Sequence, residues 1–534
     1  MRLDPRAELL RVWEAVARYS FRDGGFLWGD PAAGDALEDA HQLLCILGPA
    51  ANLPGLRLDV PGETADDAAG ALRALGDRFD IPERLVVAMR EYLTRYSDGT
   101  GAPVFPGGPS LEPPAPAVEA VAGFSADLRL CLAMLGFCRV YRQQTADVER
   151  LTEVRLTAAM TGLLRAYSVR ASADDTHLRH LVRPGPRDEQ AVRDEFAAGL
   201  VEVQAGLREI SIGALPDHNA VYRGAWFECG WAWTVVAGAL PVDLDPLPGG
   251  VVITQRPGPA VAPQLYSTLL ALHAVDELFT ERTRILGLLT EDQQRLARAL
   301  QLRSDLTGAY WAWVATFGEH RWPLERVPWR TADGDESLHN SAVVAAITSV
   351  ELGTRRGNQQ LPYAYLLRVL AGLAARHGVA RPPLAASPPA VLPEHRCPCP
   401  GLPGTTQRAA ATVPILFRVA VRAATAVDDG PLRTGFEDLA DQLWRHLPLF
   451  PAGHTPNWHD TLHAVDALTL ATRLTSGVAP PAPALFVHEL LTTAETLAGE
   501  DHPVVARARG FVDTAPARAA ALLYRLVADL DRPT

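Results

Sequence analysis

Phe124-Ser125-Ala126-Asp127 runs directly into Leu130-Cys131-Leu132-Ala133, and this stretch decides the fold. A helix that opens on polar and aromatic residues and then turns small and apolar on every side has no water-facing stripe. Such a helix belongs in the middle of a larger assembly. The pattern recurs. Glu38-Asp39-Ala40-His41 leads into Leu43 to Leu47, and Gln264 to Thr268 leads into Leu269-Leu270-Ala271. Glu336 to Ser341 leads into Ala342 to Ala345, and Trp458-His459-Asp460-Thr461 leads into a run around Val465 and Leu468. Arg223 to Glu228, followed by Cys229-Gly230-Trp231, reads the same way.

Other stretches are amphipathic. Leu156, Met160, Leu163, Leu164 and Tyr167 recur at helical spacing within 146–169, and 291–318 is a second such segment. Inner apolar helices with an outer amphipathic layer predict an all-α, two-layer, α/α-toroid-like architecture, with an irregular multi-helix bundle as the alternative. Strand signal is scarce; Val251-Val252-Ile253-Thr254 is the best candidate. Proline- and glycine-rich breaks divide the chain into a helical segment 1–96, a linker 97–116 and a central helical region 117–378 with a loop at 241–263. A proline-rich loop 379–403 and a C-terminal helical region 404–534 follow. One continuous toroid would join these pieces.

Composition works mainly by exclusion. The 534 residues carry a formal charge of −12 and no basic tract, so no nucleic-acid partner is expected. Lysine is absent, which removes Walker A, Schiff-base and kinase-type chemistry. No apolar run approaching the roughly 18–20 residues of a membrane span is read, and the charged N-terminus lacks the apolar core of a signal peptide. Six cysteines in so long a chain do not make a disulfide scaffold. These features predict a soluble cytoplasmic protein.

The starts of inner helices would rim one end of a toroid, so their polar groups predict the site. Glu228, Asp127, Asp39 and His339 are the candidate acid–base residues. Glu228 stands out as a carboxylate among Trp226, Phe227, Trp231 and Trp233, with Arg223 as a possible partner. The three tryptophans, Asn340 and Tyr266 would shape the pocket. Asp35, Asp333 and Asp335 fit ordinary first-turn acids, and Glu336 is a further acidic candidate. His459-Asp460-Thr461-Leu462-His463 places two imidazoles on one helix face, a spacing that can hold a divalent metal, with His454, Asp466, Glu489 or Glu495 as third ligand. His395-Arg396-Cys397-Pro398-Cys399 offers at most three soft ligands and no second spaced pair, so it reads as loop residues with incidental thiols.

Gly24 to Gly29 and Phe227 to Trp233 resemble segments of terpenoid-cyclase-like toroids, which implies a central pocket for an isoprenoid-like molecule. The likeness covers short fragments, and the Asp-x-Asp-Asp motif and regular repeats of that group are absent. The His459-Asp460 doublet resembles that of the HD phosphohydrolases, whose further ligands would be sought at His446 and Asp513. Three functions follow in order. The first is a pocket protein or enzyme for a sugar- or isoprenoid-like small molecule, requiring no cofactor. The second is a non-catalytic scaffold with a protein partner or a second copy of itself, and the third a metal-dependent hydrolase at His459 and His463.

Overall fold

The structure is a computed structural model of the full chain. It describes residues 2–22, 25–29, 35–105, 119–172, 189–211, 226–244, 251, 258, 260, 262–316, 329–330, 336–354, 360–379, 395–399, 402, 404–447, 449–450, 456–476, 502–510 and 523. The fold is all-α. Among the described residues its twelve longest helices are α1 (Pro5–Ser20), α2 (Ala36–Asn52), α3 (Asp80–Arg95), α4 (Ala120–Tyr141), α5 (Ala146–Ala166) and α6 (Leu265–Leu278). They continue with α7 (Glu291–Thr316), α8 (Leu338–Thr354), α9 (Gln360–Arg376), α10 (Thr412–Ala426), α11 (Pro431–Trp444) and α12 (Trp458–Ser476). Local chemistry sets their ends. The Asp4 carboxylate accepts the Ala7 N–H ahead of Pro5 at the first position of α1, and the Gln264 side chain accepts the Ser267 N–H at the start of α6.

The even-numbered helices pack in sequence. α2 lies on α4, α4 on α6, α6 on α8, α8 on α10 and α10 on α12, and α12 returns to α2. The odd-numbered helices lie against them: α1 on α2 and α12, α5 on α4, α7 on α6 and α8, α9 on α8 and α10, and α11 on α10. α3 packs mainly on α5. Burial follows the same division. In α4 every residue from Ala120 to Leu128 is buried, whereas α3 buries only one face, at Ile81, Leu85, Val86, Ala88, Met89, Tyr92 and Leu93. One apolar cluster runs from Leu9 to Ala471, across all the expected domain breaks. An 18-residue window of α4 reaches a mean hydropathy of 1.5, the length and composition of a membrane span that the sequence reading missed. Within the protein 94% of that window is buried, as expected of a helix enclosed by other helices.

Between layers, polar groups are paired. Asp127 of α4 accepts the Tyr92 hydroxyl at 2.6 Å and the Arg155 guanidinium at 2.7 Å. Arg155 of α5 also donates to the Tyr96 and Val104 carbonyls, so one fully buried cation ties α3, α4 and α5 together. Helices α4 and α5 approach closely because Gly162 has no side chain; a Cβ there would lie 2.7 Å from the Phe124 ring.

Two antiparallel strand pairs depart from expectation, the second of them a hairpin. Residues Trp226–Trp231, read above as a helix start, form a strand antiparallel to Tyr167–Ser172, with Glu228 opposite Arg170. The alternation explains it: Phe227, Cys229 and Trp231 are buried while Glu228 is half-buried between them, a period of two. Within the proline-rich stretch, His395–Pro398 pairs with Thr406–Ala409. The strand expected at Val251–Thr254 falls, beyond Val251, outside the described residues.

The Asp127–Arg155 pair yields a direct prediction. Arg155→Ala leaves a buried carboxylate uncompensated and should cost about 3–5 kcal/mol in urea unfolding. Asp127→Leu combined with Arg155→Met should recover most of that loss, and a double variant no better than the single one would contradict the pairing.

Candidate functional site

Five even-numbered helices meet around a buried polar chamber of about 20 Å³, room for a single water. Helix α2 contributes His41, α4 contributes Ser125 and Arg129, and α6 contributes Tyr266 and His273. Helix α10 adds Arg418, and α12 adds His459, His463 and Asp466. At the centre, Asp466 accepts the Arg129 guanidinium at 2.6 Å and lies 2.8 Å from that of Arg418. Burial works against the Asp466 carboxylate, but the two guanidinium groups outweigh it and hold its pKa below the usual range. Arg418 is pushed down to about 10 by burial and stays charged at neutral pH.

The imidazoles stand in contrast. Burial, reinforced by neighbouring cations, holds His41 and His273 well below their ordinary pKa and takes His463 to about 3. All three are neutral at pH 7. His41 meets His459 edge to face with ring centroids 4.6 Å apart. Among the described residues, Ser125 Oγ and the Nδ1 atoms of His41, His273 and His463 have no hydrogen-bond partner, so these polar atoms face the chamber unsatisfied.

The hairpin and the residues after it close this end. Arg408 donates to Glu119, just ahead of α4, at 2.9 and 3.1 Å, and also pairs with Glu38 of α2. Gln407 donates to Gln264 at 2.6 Å, and Gln264 donates to the Pro398 carbonyl, which pins the hairpin to α6. The Ala410 N–H binds the Tyr266 hydroxyl at 2.9 Å, and the Ala411 N–H binds Asp460 of α12 at 2.7 Å. Tyr266 stands between two groups, its ring centroid 6.4 Å from His463 and 6.0 Å from His339. On that farther side His339 of α8 stacks against His395 at 3.8 Å, and Cys397 lies beside both.

The sequence-predicted residues therefore separate. Tyr266, His459 and His463 lie on the chamber wall, and His339 lies behind Tyr266 with its buried neighbour Asn340. The acid–base set does not gather there. Asp127 is held by Arg155 between the layers, as described. Asp39 accepts the Tyr96 hydroxyl at 2.5 Å and the Gly29 N–H, and burial pushes it up to about 6. Glu228 sits on a strand rather than a helix start. Trp231 is a core side chain whose indole donates to the Leu163 carbonyl, and Trp233 packs with Ala232, Val236, Ala260 and Cys399; the Trp226 side chain lies outside the described residues. Asp466 is the one proposed third ligand that reaches the wall, while His454, Glu489, Glu495 and Asp513 lie outside the described residues. The sequence reading missed Arg129, Arg418 and His273. The available signal was a charged or polar residue in mid-helix where every face is otherwise apolar.

This is a mostly helical, multi-helix protein with a buried basic chamber at one end of its inner helices. The chain belongs to the SCO2524-like family, whose sequence profile matches residues 1–450. No curated protein and no solved structure matches it.

The histidines make stability depend on acid. Below about 6.5 the unfolded chain binds protons at His41, His273 and His463 that the folded chain refuses, so stability falls as pH drops from 6.5 toward 3. Asp39 and Asp460, both raised by burial to about 6 from 3.8, act in the opposite sense, as do Glu153, Glu277 and Asp305. But His339, His377 and His395 are also held down by burial, and the lowered carboxylates of Glu119 and Asp466 add to the loss in acid. Urea midpoints should therefore be lower at pH 5 than at pH 7. His463→Gln should flatten the dependence by up to about 1.4 kcal/mol per pH unit. Equal midpoints in the native protein would contradict the neutral, buried imidazoles.

Proposed function

We propose that the protein is an α/α toroid that binds a small molecule through a compact oxyanion group, phosphate or carboxylate, held in the central chamber. The toroid reading is supported by the alternation of inner and outer helices along the chain and by the contact of α12 with α2 that closes the inner series. The carrying observation for the ligand is charge. Two buried guanidinium groups share one carboxylate on the wall, and a cation left without full compensation in an apolar interior is costly unless an anion joins it. Glu277, the next nearest carboxylate, lies off the wall, and its own burial works against its ionised form.

Further features favour the same ligand class. Tyr266 and His459, each the second residue of its helix, bring the starts of α6 and α12 to the chamber, where their positive dipole ends add to the arginines. Ser125 and the imidazoles supply further donors. The ligand's oxygen would take the place of the single water the closed chamber can hold, with the arginine side chains turning toward it. All six cysteines are buried thiols outside any disulfide, which supports a reducing, cytoplasmic setting.

Thermal and chemical unfolding with added inorganic phosphate, then with small phosphorylated and carboxylated metabolites, tests the proposal. A ligand at a hundred times its Kd should stabilise the protein by about 2.7 kcal/mol. Arg418→Gln should abolish that gain, while the distant Arg11→Gln should leave it intact. No stabilisation by any anion, or equal stabilisation in the Arg418 variant, would overturn the proposal and favour a scaffold.

A further inference from the structure

We propose that His339, His395 and Cys397 form a binding site for a borderline-soft divalent metal, zinc foremost, with one coordination position left open. This site is separate from the oxyanion chamber and stands or falls on its own. One ligand atom from each residue lies within 4.8 Å of the other two. In a tetrahedral zinc site, nitrogen and sulfur ligands at bond lengths of roughly 2.0–2.3 Å sit about 3.3–3.8 Å apart, so small side-chain rotations complete the geometry.

The backbone explains the convergence. His395 and Cys397 are two apart on one strand of the hairpin, so both side chains leave the same face. That hairpin is clamped over the helix starts by Arg408 and Gln407, which brings its face to the first turn of α8, where His339 is buried. The two imidazole rings lie 3.8 Å apart and tilted by 33°. The Thr412 hydroxyl is 3.5 Å from His339 Nδ1, the outer partner that would orient the ring and leave Nε2 to the metal. Cys399 takes no part; it packs with Trp233, Val236 and Ala260. The local spacing of 395–399 gave no zinc signature because the third ligand comes from another helix.

Two imidazoles and a thiolate select zinc or cobalt over magnesium and calcium, which prefer oxygen ligands. On binding, a metal–sulfur bond replaces the Cys397 S–H bond and the proton passes to solvent. Three protein ligands leave the fourth position for water or for a donor atom of a ligand, the arrangement found in catalytic rather than structural zinc sites.

The test is cobalt titration of full-length, tag-free, chelator-treated protein. The expected result is one equivalent of Co(II) bound, with intense tetrahedral d–d bands and a thiolate-to-cobalt charge-transfer band, all displaced by Zn(II). Cys397→Ser should remove the charge-transfer band and weaken binding by more than the roughly 100-fold that loss of even an outer-shell partner can reach. Arg11→Gln, on the exposed face of α1, should leave both unchanged. Absence of a stoichiometric thiolate band in the native protein would overturn the proposal, as would its persistence in the Cys397 variant or its loss in the Arg11 variant. The native-protein spectrum needs no variant to fold, and phosphate binding at the chamber does not enter the readout.

Discussion

Asp466 lies between two guanidinium groups, Arg129 and Arg418, and most of this architecture can be understood from that contact. The three residues belong to α12, α4 and α10, and Arg129 and Asp466 are 337 positions apart in the chain. Helices with no solvent-facing stripe must be enclosed, and helices so enclosed have nowhere to place a charge except against another one. The interior therefore tolerates these ions only if the ends of the chain come together. The α12–α2 contact does this, and the N-terminal backbone reinforces it when Arg2 and Leu3 donate to Asp441 of α11.

The same constraint accounts for the hairpin over the chamber. Six inner helices that begin near one another leave many unsatisfied backbone donors and a set of side chains that cannot reach water. Arg408, Gln407 and the Ala410 and Ala411 amides meet several of these needs at once, binding Glu119, Glu38, Gln264, Tyr266 and Asp460. Two polar groups lie on either side of Tyr266. One is rich in cations and neutral imidazoles, and the other combines two imidazoles with a thiol. Their chemistry differs because the arginines are on α4 and α10, while the thiol is on the cap.

The enclosed character of α2, α4, α6, α8 and α12 was legible in the sequence because burial on all sides writes itself into composition, as at Phe124 to Ala133, whereas α10 was not singled out. The polar starts were legible for the same reason, and they located His459, His463, Tyr266 and His339 near one end. Individual roles were not. Asp39 lies in the first turn of α2 and Asp127 farther along α4, but each points toward a partner, Tyr96 or Arg155, outside its own helix. The strand at Trp226–Trp231 carried its period of two in Phe227, Cys229 and Trp231, yet its partner Tyr167–Ser172 is far upstream, and non-local pairing leaves no local mark. His395 and Cys397 were visible as a spacing. Their third companion, His339, was not, because only the clamped hairpin brings the two segments together.

A double-mutant cycle on Arg129→Gln and Asp466→Asn measures most directly whether the chain closes as described. Residues in buried contact couple by roughly 0.5–3 kcal/mol, whereas residues on separate, unjoined parts of a chain add independently to within about 0.3–0.5 kcal/mol. Closure predicts a coupling above about 1 kcal/mol in urea unfolding. Additive effects of the two substitutions would contradict both the central ion pair and the enclosed chamber built around it.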